Sequence, residues 1–138
     1  MSEFIVRDAL LLDSIAYWSR HHGTTTLESI FAAEDMIDRS APFYGELKDG
    51  LSRLISADLV VISDSGYQPS PRGRELVEEA DRNENPSRRI WILLEELRNN
   101  YPTVKITHQV ELSHEEYACA FKSHYQTEAP STLSHLKI

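Results

Sequence analysis

Six histidines, one cysteine and 22 acidic side chains are the groups in this 138-residue chain with the means to do chemistry. The densest local cluster is His114-Glu115-Glu116-Tyr117-Ala118. Its first two residues match the opening of a helix that holds zinc and activates water. That chemistry needs a second histidine four residues on, and Ala118 stands there. Ser113 and Glu116 have a sufficient role of their own, as a Ser-x-x-Glu capping box opening a helix. His108, His114 and His124 offer three imidazoles, but their spacing matches no compact ligand set, so no metal site is expected. His21 and His22 precede Gly23 and suit a helix C-terminus, where imidazolium meets the negative end of the dipole. Cys119 lies among apolar helix residues and is expected buried or half-buried. Phosphate-cradling glycine loops, nucleophile elbows and Cys/His nucleophile pairs are missing from the sequence. The expectation is a protein that is not an enzyme and carries no cofactor.

Charge is more telling. There are 14 Lys and Arg against 22 Asp and Glu, a net charge of −8. Residues 1–80 hold 7 basic and 14 acidic side chains, whereas residues 81–138 hold 7 and 8. An acidic chain repels nucleic acid and membrane surfaces and steers toward basic partners. No apolar run approaches the roughly 20 residues that span a bilayer, so no membrane association is expected. The opening MSEFIVRDALLLDS is too acidic, and its apolar part too short, for a secretory signal. With a single cysteine there is no internal disulfide framework, and a cytoplasmic location is expected.

The elements follow from periodicity. Leu11, Ile15 and Trp18 predict a helix over 7–22, closed by Gly23. Thr25-Thr26-Leu27-Glu28 reads as a capping box for a second helix ending near Arg39–Ser40. Leu47, Leu51, Leu54 and Ile55 predict a third over 42–57, with Pro42 in its first turn. Gly50 inside it marks either a close helix–helix approach or a tolerated weak spot. Leu59–Ser63 and Tyr67–Pro69 flank the turn Asp64-Ser65-Gly66 as a hairpin. Ser70-Pro71 then caps a fourth helix. Residues 81–86 read as a linker, and Asn85-Pro86 as the cap of a fifth helix carrying Ile90, Leu93, Leu94 and Leu97. Val104, Ile106, His108, Val110 and Leu112 alternate with polar residues and predict a strand. A sixth helix starts at Ser113, and 127–138 reads as a flexible tail.

Three helices, a hairpin and a helix is the order of a winged helix-turn-helix. Leu51-Ser52-Arg53-Leu54-Ile55-Ser56-Ala57-Asp58-Leu59-Val60 resembles that superfamily's passage from recognition helix to first wing strand. Tyr67-Gln68-Pro69-Ser70-Pro71-Arg72-Gly73-Arg74-Glu75-Leu76 resembles its exit from the wing. Asp58 stands where glycine is usual, and aspartate tolerates the left-handed backbone better than most residues. The expected fold class is therefore α+β, mostly α. A winged-helix domain over 7–80 is followed by a helix–strand–helix extension over 86–126.

By resemblance, the third helix would read DNA, with Lys48, Ser52 and Arg53 as readers and Arg72 and Arg74 nearby. The molecule would then be a transcriptional regulator, with residues 86–138 serving dimerisation or effector sensing. Its outward positions, however, are Tyr44, Glu46, Lys48, Asp49, Ser52, Arg53 and Ser56, two cations against two anions. Such a face gains little from counterion release. The wing tip carries Asp64 and no Lys or Arg. The reading that charge favours is a protein-binding winged helix of the immunity-protein, antitoxin or inhibitor type. A basic protein partner would meet Tyr44, Glu46, Asp49, Arg53 and Asp64, with Tyr44 as aromatic anchor. Arg72, Arg74, Arg82, Arg88 and Arg89 form either an anion-facing patch or a solvated face paired with neighbouring glutamates.

Overall fold

The computed structural model describes residues 2–63, 66–82 and 88–137, with backbone alone over 126–137. The elements are α1 (Val6–His22), α2 (Leu27–Asp38), α3 (Tyr44–Ser56), β1 (Val60–Ser63), β2 (Gly66–Pro69), α4 (Pro71–Asp81), α5 (Arg89–Asn100) and α6 (His114–Lys137). The protein is mostly helical, with one small antiparallel hairpin. No helix among the described residues is long and apolar enough to cross a membrane.

Helix α1 is the hub, touching α2, α3, α4, α5 and β2. Its Leu11, Leu12 and Ile15 are fully buried, as their helical spacing requires. Gly23 ends it at φ +91°, a conformation that favours glycine. Helix α2 starts differently from the sequence reading. Thr26, not Thr25, is its cap, accepting a bond from the Ser29 amide at 3.1 Å. Thr25 is thereby free for another role. Its backbone pairs with Tyr67 at 3.0 and 2.8 Å, and its hydroxyl donates to the Ile15 carbonyl at 3.1 Å. One residue thus acts as a third strand beside β2 and ties the hairpin to the α1–α2 junction.

Helix α3 begins at Tyr44, so Pro42 lies ahead of it rather than in its first turn. The Glu46 carboxylate closes the start by accepting the Phe43 amide at 2.8 Å. Gly50 is where α3 meets α1. A Cβ there would lie 2.8 Å from Asp8 Oδ1 and 3.1 Å from Leu11 Cδ2, so the glycine serves close approach. Asp58 takes the left-handed backbone at φ +58°. The hairpin register pairs Val60 with Pro69, Val61 with Gln68, Ile62 with Tyr67 and Ser63 with Gly66. The Ser70 hydroxyl caps α4 by accepting the Gly73 amide at 3.0 Å, with Pro71 in the first turn.

The later segments share the same core. Leu93 and Leu97 of α5, together with Val104, Val110 and Leu112, belong to one buried cluster with the residues of α1–α4. Helix α5 packs on α1 and α4, and α6 packs on α2. Two expectations change here, and a third segment gains a role. Among the described residues the alternating segment 104–112 forms no strand, and its only bridge joins Val104 to Ser2. Alternation marks burial on one side of an extended chain, and here that side lies against a helix rather than beside another strand. The segment read as a tail from 127 continues α6 to Lys137. The N-terminus, left outside the sequence reading, is anchored: Phe4 is fully buried, edge-on to Tyr101 at 6.2 Å, and its carbonyl accepts Arg98 Nε at 2.9 Å. The Asn85-Pro86 cap and most of the 81–86 linker lie outside the described residues.

Candidate interaction surfaces around the third helix

The face of α3 that would meet DNA is occupied by the protein's own chain. Residues 104–113 cross it as an extended strap, and α6 departs from its end. Ser52 is 1% exposed. Its hydroxyl donates to the Lys48 carbonyl at 2.8 Å and accepts the Val110 amide at 3.0 Å. One turn on, the Ser56 hydroxyl accepts the amides of Thr107 and His108, each at 3.1 Å. Serine hydroxyls thus take the place of a neighbouring strand in satisfying strap amides. Tyr44 donates its hydroxyl to the Leu112 carbonyl and stacks on His114 with ring centroids 3.8 Å apart. The Tyr117 hydroxyl donates to the Pro42 carbonyl at 2.6 Å.

This corrects the outward placement of several candidate residues. Tyr44 is half-buried beneath the start of α6 and is no free anchor. Arg53 points inward, with Nε 2.7 Å and Nη2 3.0 Å from the two oxygens of Asp8, and Nη1 3.2 Å from the Ser2 hydroxyl. Glu46 is engaged at the α3 cap and lies 3.7 Å from Arg7 Nε. Lys48 is half-buried, its ammonium 6.0 Å from the centre of the Tyr44 ring. Asp49 is exposed. Asp64 lies outside the described residues. Of the arginines, Arg72 pairs with Glu75 at 2.9 Å, and Arg89 reaches Asp13 at 2.7 Å and Asp81 at 3.3 Å. Arg74 is exposed. Arg72 fits the solvated, acid-paired alternative, whereas Arg89 is partly buried and its acids are Asp13 and Asp81 rather than neighbouring glutamates.

The histidines are held apart. His114 stacks on Tyr44, His124 Nε2 lies 3.3 Å from Asp35, and His108 is exposed on the strap. No group of three His, Cys, Asp or Glu placed to hold a metal occurs among the described residues. The capping box opens α6, with the Glu116 amide 3.0 Å from the Ser113 hydroxyl and the Ser113 amide 3.2 Å from the Glu116 carboxylate. Cys119 is exposed rather than buried, because α6 turns Phe121 and Tyr117, not Cys119, toward the Phe31 ring.

Beneath this region lies a buried acid that sequence periodicity does not reveal. Glu34 on α2 is fully buried, with Oε1 2.8 Å from Arg7 Nη1 and Oε2 without a hydrogen-bond partner among the described residues. Burial lifts its carboxyl from 4.5 to about 7, against the downward pull of Arg7. The protonated form is therefore favoured more in the folded chain than in the unfolded one. Its stabilising contribution is complete below pH 4.5 and fades as pH rises through about 7. Asp13, also raised by burial against the pull of Arg89, acts in the same direction. Urea unfolding of Glu34→Gln between pH 4.5 and 8 should show a shallower loss of stability toward high pH than the parent chain; parallel curves would exclude this role.

A second surface was not legible in the sequence. An open groove of about 610 Å³ lies between the hairpin, the start of α2 and the first turns of α6. Leu27, Ile62, Tyr67 and Ala120 supply apolar lining, and Glu28 and Glu116 supply its only charges among the described residues. Ile62 is 55% exposed. The groove depends on α6 crossing α2, a long-range pairing that no local pattern encodes. No protein-family model, curated protein or solved structure matches the chain.

Proposed function

We propose that this chain is an acidic, cytoplasmic winged-helix protein that works by binding a basic protein partner, in the manner of an immunity protein, antitoxin or inhibitor. Support for the winged-helix part comes from the order α1–α2–α3, hairpin, α4, with Thr25 as a one-residue strand beside β2. It also comes from the demands at two glycines. A Cβ at Gly66 would lie 2.3 Å from the Thr25 carbonyl oxygen, and one at Gly73 would lie 2.1 Å from that of Leu59. The hairpin therefore sits close on the segment leading into α2, and α4 sits close on the chain entering β1.

The observation that carries the binding mode is the strap over α3. A recognition helix must present side chains to base edges. Here Ser52 is spent on Val110, Arg53 on Asp8, and Tyr44 on Leu112. With Ser52 and Arg53 engaged and a net charge of −8, phosphate attraction and base readout are both weakened. The same charge accelerates encounter with a basic protein.

Two assays together test the reading. Duplex genomic fragments should show no retardation with micromolar protein at about 50 mM salt. The immobilised chain should capture a basic protein from its own cell extract and release it as salt rises. Retardation of DNA under those conditions, or capture that ignores salt, would overturn the proposal.

A further inference from the structure

The groove beside the hairpin has the features of a peptide-docking site, and its geometry can be read from the ladder. Tyr67 exchanges both backbone bonds with Thr25. In an antiparallel ladder, a residue whose N–H and C=O face one neighbour turns none toward the other. Tyr67 is therefore a non-hydrogen-bonded partner of Ile62 across β1–β2. The N–H and C=O of Ile62 accordingly point away from β2, toward the outer edge of β1. Among the described residues no strand pairs with that edge. Open edges of this kind are templates for strand addition.

The side chains at this place are equally specific. Ile62 and Tyr67 stand opposite one another on the same face of the hairpin, and both line the groove. Val61, on the same strand, is 43% exposed. Leu27 and Ala120 extend the apolar lining, while Glu28 and Glu116 leave the site with negative charge and no cation among the described residues. Burial and then the Glu116 charge raise the Tyr67 hydroxyl above its ordinary value. A second copy of this chain, at −8, is a poor electrostatic match.

Resting on the protein-binding reading above, we propose that an extended, basic segment of a partner protein adds to the outer edge of β1 at Ile62. Every second side chain of that segment faces the groove, an apolar one beside Ile62 and, two residues away, Lys or Arg toward Glu28 and Glu116. Backbone pairing supplies affinity, alternate side chains supply specificity, and the two carboxylates select a basic sequence.

The probe is a synthetic Lys/Val peptide of about eight residues, with Val and Lys taking turns at every second position and Thr between them so that both face the groove, titrated into the full chain and followed by calorimetry and backbone amide shifts. The controls are a Glu/Val peptide of equal length and a Lys/Val peptide interrupted by proline, which cannot complete the ladder. Binding should shift the Ile62 amide and weaken as salt rises. The pair Glu28→Gln with Glu116→Gln should weaken it about tenfold, and Ile62→Thr should weaken it without unfolding the strand. Glutamine at 116 can still accept the Ser113 amide, so α6 keeps its cap. Three results would overturn the proposal: no binding of the Lys/Val peptide at millimolar concentration, equal binding of the Glu/Val peptide, or binding unchanged by the glutamine pair. If the chain captures a basic protein from extract and these variants capture it equally well, the groove proposal fails while the protein-binding reading stands. Failure of the parent chain to capture any basic protein removes both.

Discussion

Replacing Arg53 with alanine is expected to lower the unfolding free energy by about 3 kcal/mol, a loss typical of breaking a buried pair from one side. Asp8 is fully buried, and its two oxygens accept Arg53 Nε and Nη2 while Oδ2 also accepts the Ile5 amide at 2.9 Å. Removing the guanidinium leaves a desolvated carboxylate at the start of α1, beside the position where Gly50 brings α3 into contact. Lysine should restore little, because a point charge cannot bond both oxygens in one plane. The joint change Arg53→Met with Asp8→Leu should recover part of the loss, since the charge and its partner leave together while the Ile5 amide loses its acceptor. Urea denaturation of the three variants checks this. An Arg53→Ala loss below about 0.5 kcal/mol is the value for an exposed side chain, and would mean that Arg53 faces solvent.

Replacing Ser52 with alanine is expected to cost about 2 kcal/mol, despite the better helix propensity of alanine. The hydroxyl is the partner of the Val110 amide, and both residues are buried. Without it that amide is left in an apolar setting, and the strap loses its central tie to α3. The neighbouring contacts, Ser56 to Thr107 and His108, are exposed and worth less. Equilibrium unfolding should therefore place Ser56→Ala well below Ser52→Ala, and the reverse order would contradict this assignment of roles.

Much of the fold was legible because its signals are local. Leu11, Ile15, Leu47, Leu51 and Leu54 recur at helical spacing and are buried, and Ser70-Pro71 and Ser113-x-x-Glu116 cap the helices they precede. The Thr25-x-x-Glu28 box failed by one residue because Thr26 offers the same chemistry, while Thr25 is drawn into the sheet by Tyr67. The 104–112 alternation correctly marked Val104, Val110 and Leu112 as facing the core, but periodicity cannot say whether an extended segment lies beside a strand or across a helix. That ambiguity hid the candidate site. Tyr44, Ser52 and Arg53 looked outward on an isolated helix, and only the strap and Asp8 turn them into internal contacts. The groove at Ile62 was hidden for the same reason, since Glu116 and Ala120 reach it from more than 50 positions along the chain.

The central claim is that α3 is closed by its own chain, so that a partner meets the protein elsewhere. Amide hydrogen exchange at Val110 tests it most directly. The account predicts that this amide exchanges as slowly as those in the middle of α3, and that Ser52→Ala speeds it by at least tenfold more than it speeds those core amides. Exchange of Val110 at the rate of an unstructured chain would mean that the strap does not rest on α3, and would reopen its face to DNA.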